Sequence, residues 1–184
     1  MKNIEIEKKF LLSSYPLESY LARHNIDTKS KRLRQFYLPD NDCKYRRYRE
    51  DGDKFIKTCK RGSGAVREEI EEYITKDEFT DALKRFGREV LSKRRVIFEI
   101  DNYRFELDIF DNPLKGLQFL EIEFSDISKL DSFCMPKLLE PFILYDVTDA
   151  IQFTNAFIAK SLSYPILHTT KTIEKSNSIK FIGS

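Results

Sequence analysis

The chain has 184 residues, of which 41% are hydrophobic, including 15 Phe, and 34% are charged. That length suits a single domain with a substantial core. The 32 Lys+Arg nearly balance 30 Asp+Glu, leaving a net charge of +2, so no nucleic-acid partner is suggested, because dedicated nucleic-acid-binding domains carry a larger basic excess. No apolar run approaches the ~18 residues of a membrane span, and the first residues lack a signal-peptide core; a cytoplasmic protein is expected. Cys43, Cys59 and Cys134 match neither a disulfide framework nor a CxxC metal site, and reduced thiols are the expectation. His24 and His168 have no metal-ligand spacing and read as surface or loop residues.

In chain order, IEIEKKFLL (4–12) alternates with period two, predicting a strand with Glu5, Glu7 and Lys9 on one face. A short helix is expected over 15–24, with Pro16 at its start. KRLRQFYL (31–38) groups Arg32, Arg34, Phe36 and Leu38, and CKYRRYRE (43–50) groups Tyr45, Arg47 and Arg49. An Asp-Gly turn leads into KFIKTCK (54–60), where Ile56, Thr58 and Lys60 share a face. After the RGSG turn, VREEIEEYI (66–74) sets Arg67, Glu69, Glu71 and Tyr73 together. A helix follows, capped by Thr75 with Glu78 three residues on, striped by Phe79, Leu83 and Phe86, and ended by Gly87.

Strands resume with LSKRRVIFEI (91–100), carrying Lys93, Arg95, Ile97 and Glu99 on one side. Asp101-Asn102 turns the chain into YRFELDIF (103–110), where Arg104, Glu106 and Asp108 oppose Phe105, Leu107 and Ile109. FLEIEF (119–124) repeats the opening pattern with Glu121 and Glu123. Helices are expected over 126–134 and about 147–162. No repeat or linker divides the chain, so residues 1–165 form one domain and 166–184 a tail.

One face thus collects nearly all the charge. An antiparallel sheet with a wet face would do this too. However, acids recur as same-face pairs at 5/7, 69/71 and 121/123, and bases at 47/49 and 93/95. About eight strands can close into a barrel with a polar interior. Paired carboxylates call for a hard cation such as Mg²⁺ or Mn²⁺. Clustered Arg and Lys call for an anion of several charges. A metal-chelated polyphosphate meets both demands.

EIEKKF resembles the ExExK signature of the CYTH superfamily, the triphosphate tunnel metalloenzymes. LRQFYL, RYREDG, FIKTCK, REEIEEYI, SKRR, FELDIF and LEIEF are similar in order, so the resemblance covers residues 3 to 160. It implies an α+β fold: an eight-stranded antiparallel β-barrel with a charged lumen and flanking helices, hydrolysing triphosphate compounds with Mg²⁺ or Mn²⁺. Carried over by position, Glu5, Glu7, Lys9, Glu69 and Glu71 are the catalytic candidates. Lys9, Arg34, Arg47, Arg49, Lys60, Lys93 and Arg95 would bind substrate. Glu5, Glu7, Glu71, Asp108, Glu121 and Glu123 would hold metal.

The sequence departs from the family where bases are expected near the last helix: DAIQFTNAF keeps Asn155 but has Gln152, Thr154 and Ala156. The substrate stays open between inorganic, nucleoside and thiamine triphosphate. A class IV adenylate cyclase is the alternative, a non-catalytic polyphosphate or nucleotide binder a third reading, and a homodimer is left open.

Overall fold

In a computed structural model, which describes residues 2–86 and 89–166, the charged strands close on themselves. The strands are β1 (Lys2–Leu12), β2 (Thr28–Asp40), β3 (Lys44–Asp51), β4 (Lys54–Arg61), β5 (Val66–Ile74), β6 (Leu91–Ile100), β7 (Tyr103–Phe110), β8 (Gln118–Glu123) and β9 (Ile143–Asp146). Hydrogen bonding runs β5-β4-β3-β2-β6-β7-β8-β1, and β1 pairs back onto β5. Eight antiparallel strands therefore form a closed barrel. Closure leaves no open edge along those strands. β1 is long enough to pair with β5 through Lys2–Ile6 and then with β9 through Phe10–Leu12.

The hairpins follow from local turn chemistry. Gly52 between β3 and β4 has φ of 60°. Asp101 and Asn102, between β6 and β7, both take positive φ (53° and 63°), the conformation a tight hairpin turn needs and one that Asn and Asp tolerate best after Gly.

Alternation then sorts side chains in and out. The outward apolar residues of β1, β6, β7 and β8 pack beneath helix α1 (Leu17–Arg23), whose Leu17 and Leu21 are fully buried. Full burial of each such leucine contributes about 1.5–3 kcal/mol. Helix α2 (Lys76–Phe86) covers another outer sector. Its start is capped as expected, with the Glu78 N–H donating to Thr75 Oγ1 at 3.1 Å. Phe79 on α2 is buried with its ring centroid 5.4 Å from Phe36 and 5.1 Å from Phe55. Gly87, expected to end this helix, lies outside the described residues, as does His168 with the tail beyond 166. His24 follows α1 and is exposed, its ring 4.3 Å from that of Tyr20.

The C-terminal stretch differs from the expected long helix. Residues 147–162 hold a 3-10 turn at Ile151–Phe153 and a five-residue helix, Asn155–Ala159; the strand β9 precedes them. Side-chain bonds pin the chain too tightly for one helix. Asp146 Oδ1 accepts from the Thr148 N–H at 3.0 Å, and Thr148 Oγ1 accepts from the Lys9 N–H at 3.1 Å. Val147, Ala150 and Phe153 then recur every third residue, the 3-10 period, and pack on Leu91, Phe110 and Phe119 at one end of the barrel. Thr154 caps a new helix by accepting from the Phe157 N–H at 3.3 Å. The expected helix at 126–134 is also shorter, α3 (Ile127–Ser132), capped by Asp126.

The thiols differ from expectation as well. Cys43 and Cys59 are disulfide-bonded, their Cα atoms 5.6 Å apart. A sequence spacing of 16 gave no pairing signal; the β3–β4 hairpin brings the two together, since Arg46 already pairs with Cys59 in the ladder. Cys134 is free and exposed. Among the described residues, no helix is long and apolar enough to cross a membrane.

Candidate active site

The inward residues line a cavity of about 640 Å³. Strand register decides which charges reach it. Directly opposed residues share a face, so Lys60 beside Glu69, Lys9 beside Glu121 and Arg95 beside Asp108 all point inward. Glu5, Glu7, Lys9, Arg47, Arg49, Lys60, Glu69, Glu71, Arg95, Glu121 and Glu123 all lie on the cavity wall.

Three candidates do not. Arg34 is exposed on the outside, donating to Glu50 at 2.8 Å. The reason is register: Gln35 and Tyr37 oppose Arg49 and Arg47, so β2 turns its odd positions inward, and the Arg32–Arg34 face looks out. Phe36 on that outward face misleads, because α2 gives it a second apolar environment. Lys93 and Asp108 do point inward, but they are fully buried behind the wall and bonded to one another. Asp108 is further held by Arg95 through two bonds of 2.7 Å. With every oxygen so engaged, this carboxylate serves Arg95 and Lys93 rather than the cavity.

Several wall residues were not among the candidates. Arg67, paired across β1 with Glu5, grips both Glu5 and Glu7. Its alternation with Glu69 and Glu71 was visible in the sequence and could have placed it. Thr58 donates to Glu71 at 3.1 Å and accepts from Arg47 at 3.0 Å. Tyr37, Lys31 and Arg104 also reach the cavity, the first two through the same odd register of β2.

The electrostatics divide the lumen into three regions. In the first, burial alone would raise Glu5, but Lys60 and Arg67 outweigh it and hold the carboxyl below its ordinary range. In the second, burial of Glu121 is likewise outweighed, by Lys9 at 3.0 Å and Arg95 at 2.6 Å, and its pKa is held well below normal. Arg95 knits this region together by also bonding Glu106. In the third, bases are crowded: Arg47 beside Arg49, with burial and Arg95 adding, lowers Arg49 to about 10. Arg47 and Arg49 each keep a buried Nε with no partner among the described residues. Burial pushes Lys93 down to about 8 despite Asp108.

One acidic position is left uncompensated. Glu7 and Glu123 face each other across β1 and β8. Arg67 neutralises Glu7, whereas the Glu123 carboxylate makes no ion pair or hydrogen bond among the described residues. Partial burial, followed by the nearby Glu106 and Glu5, raises its pKa. Opposed like charges are unfavourable unless a cation sits with them. The donors are carboxylate oxygens, which fit a hard divalent ion. Glu123, Glu7 and Glu5 would hold it. A second group with metal-binding atoms, Asp40, Cys43 and Cys59, lies at the start of the β3–β4 hairpin, but its two sulfurs are bonded to each other.

The lumen of this closed antiparallel barrel thus alternates acidic pairs with clustered bases. No family model matches the chain. It is 28% identical over 160 residues, covering 86% of this chain and 98% of the relative, to a protein of Nitrosomonas europaea named inorganic triphosphatase. A crystal structure of an inorganic triphosphatase superposes with a TM-score of 0.58 at 25% identity, covering 88% of this chain and 96% of that one. A Pyrococcus horikoshii protein shares the fold alone, with a TM-score of 0.53 at 23% identity over 68% of this chain and 82% of that one. The chain is thus similar in sequence and in fold to inorganic triphosphatases.

Proposed function

We propose that the protein is a divalent-metal-dependent hydrolase of triphosphate compounds, using Mg²⁺ or Mn²⁺. The observation that carries this reading is that Arg47 and Arg49 stand side by side on the cavity wall, each with a buried Nε that has no partner among the described residues, and that their mutual repulsion lowers Arg49 to about 10. Like charges held this close need a multiply charged anion, and the partnerless Nε–H groups of Arg47 and Arg49 are donors in waiting. Phosphoryl transfer asks mainly for positioning and charge stabilisation, which a rigid barrel wall provides.

In this reading Arg47, Arg49 and Lys60 bind phosphate oxygens. Lys9, anchored between Glu121 and the Phe119 ring 4.2 Å away, presents its ammonium to the same anion. Arg95 is fixed by Glu106, Asp108 and Glu121 and holds those carboxylates in place. Glu69 and Glu71 hold Lys60, Arg47 and Arg49 in place at 3.3 to 3.5 Å. Arg67 compensates the Glu5 and Glu7 carboxylates. The metal, when bound, supplies a Lewis acid for the phosphate oxygens and for the attacking water.

Carboxylates beside the bases favour hydrolysis over mere binding, because an anion alone needs no acidic wall. The test is product analysis by chromatography after incubation with inorganic triphosphate, ATP and thiamine triphosphate, with each metal in turn. Orthophosphate release supports the reading; cyclic AMP with pyrophosphate makes the protein a cyclase, and no product makes it a binder.

A further inference from the structure

The disulfide joins two residues that also sit beside a carboxylate. Asp40 ends β2, Cys43 lies in the turn 41–43, and Cys59 is on β4. One ligand atom from each falls within 4.8 Å of the others. Asp40 Oδ1 stands 3.4 Å from Cys43 Sγ. Zinc bonds of ~2.3 Å to sulfur and ~2.1 Å to oxygen set tetrahedral ligand atoms about 3.4–3.8 Å apart. The carboxylate and the first sulfur therefore already have the spacing of two ligands on one ion.

The surroundings prepare both kinds of donor. Asp40 Oδ2 accepts from Arg46 Nε at 2.6 Å, and Oδ1 accepts from the Asp42 N–H at 2.8 Å. These bonds hold the carboxyl below its ordinary range, and they fix its orientation as the outer partners of a metal ligand do. Arg46 is also the ladder partner of Cys59, and a neighbouring guanidinium favours thiolate over thiol. Cys43 is half-buried and lines the cavity, which opens it to a small ion and to a reductant.

We propose that Asp40, Cys43 and Cys59 form a redox-gated zinc site, closed by the disulfide and opened when a dithiol reduces it. In the opening step the dithiol gives two electrons and two protons, the S–S bond breaks, and the dithiol leaves as a cyclic disulfide. Zinc then takes both sulfurs as thiolates and releases two protons, with Asp40 as third ligand and water as fourth. Thiolates select zinc over Mg²⁺ or Mn²⁺, so the site differs in chemistry from the carboxylates of the lumen. Either cross-link ties the turn to Cys59, between Thr58 and Lys60, whose side chains bond Arg47 and Glu5. The site does not depend on which compound the lumen turns over.

The experiment titrates Co²⁺, a spectroscopic stand-in for zinc, into the full chain with Mg²⁺ in excess to occupy carboxylates. The chain is first reduced with a dithiol, which is then removed without air. Reduced wild type should show thiolate-to-cobalt charge-transfer absorption at one Co²⁺ per chain, bleached by Zn²⁺, and unreduced wild type should show none. Cys134→Ser should keep the band and Cys43→Ser should lose most of it. Asp40→Asn should weaken Co²⁺ binding by about tenfold or more, since loss of even an outer partner costs that much. Unreduced wild type serves as the folded control, because it differs only in the sulfur bond. An equal band in unreduced wild type or in Cys43→Ser would place the ion elsewhere and overturn the site. No band in reduced wild type, or unchanged affinity in Asp40→Asn, would overturn it as well.

Discussion

Glu121 and Glu123 are two residues apart on one strand and face the same lumen, yet their removal should shift stability in opposite directions. Glu121 is buried against Lys9 at 3.0 Å and Arg95 at 2.6 Å. Glu121→Gln keeps the shape but leaves two buried cations short of an anion. Breaking a buried pair from one side costs about 3–5 kcal/mol, and retained hydrogen bonding brings the expected loss to about 2–4 kcal/mol. At about 2–4 °C per kcal/mol for a chain of this size, Tm should fall by about 5–15 °C. Glu123 has no ion pair among the described residues, and burial with neighbouring carboxylates raises its pKa. Glu123→Gln should raise stability slightly, by less than about 1 kcal/mol because the side chain is exposed.

The pH dependence follows from the signs. Glu121 has a depressed folded pKa, so its contribution is full above the ordinary glutamate range and is lost as pH falls through the folded value. Glu123 has a raised folded pKa, so its cost is present above that value and vanishes in acid. Thermal unfolding of both variants beside wild type, stepped from neutral pH down to about pH 3, reads both effects: the Glu123→Gln gain fades first, and the Glu121→Gln loss shrinks only toward the acid end. Shifts of the same sign in the two variants, or no loss in Glu121→Gln, would refute the charge assignment of this wall.

Other outcomes follow from single contacts. Phe79→Ala removes the ring that α2 sets between Phe36 and Phe55 and should cost about 3–5 kcal/mol in denaturant unfolding. Lys93 is lowered to about 8 by burial, so the unfolded state binds the proton more readily between there and the ordinary lysine range. Wild type should gain stability relative to Lys93→Met as pH rises across that interval, measured by Tm at stepped pH. Reductant should lower the Tm of wild type, by the equivalent of about 3 kcal/mol for a loop of this length, and leave Cys43→Ser unmoved.

Most of the barrel was legible because period-two alternation is a backbone property that charged residues display as clearly as apolar ones. β1, β3, β5, β7 and β8 each put their paired charges on the cavity or just behind it, as the alternation required. β2 failed for a reason local sequence does not carry. Its two faces are mixed, Arg with Phe outside and Gln with Tyr inside, and only pairing with β3 and the cover of α2 fixes which is which. The depth of Lys93 and Asp108 was equally invisible, since strand position sets the face but not how far along the tunnel a plug closes over it. Arg67 was visible on its strand, but its grip on Glu5 and Glu7 depended on the β1–β5 closure that makes the barrel. The C-terminal segment looked helical because an i, i+3 apolar recurrence fits an α-helix and a 3-10 turn alike; the Thr148 and Thr154 side-chain bonds decide between them.

The central claim is that the lumen hydrolyses a triphosphate through its bases with a divalent ion. Phosphorus NMR of inorganic triphosphate and ATP, mixed with wild type and Mg²⁺, with wild type and EDTA, and with Arg49→Ala and Mg²⁺, tests it in one series. Wild type with Mg²⁺ should convert terminal phosphate of at least one compound to orthophosphate. EDTA should stop the conversion, and Arg49→Ala should slow it by about two orders of magnitude, as loss of a charge-stabilising donor does elsewhere. Undiminished conversion in EDTA, or in Arg49→Ala, would contradict it.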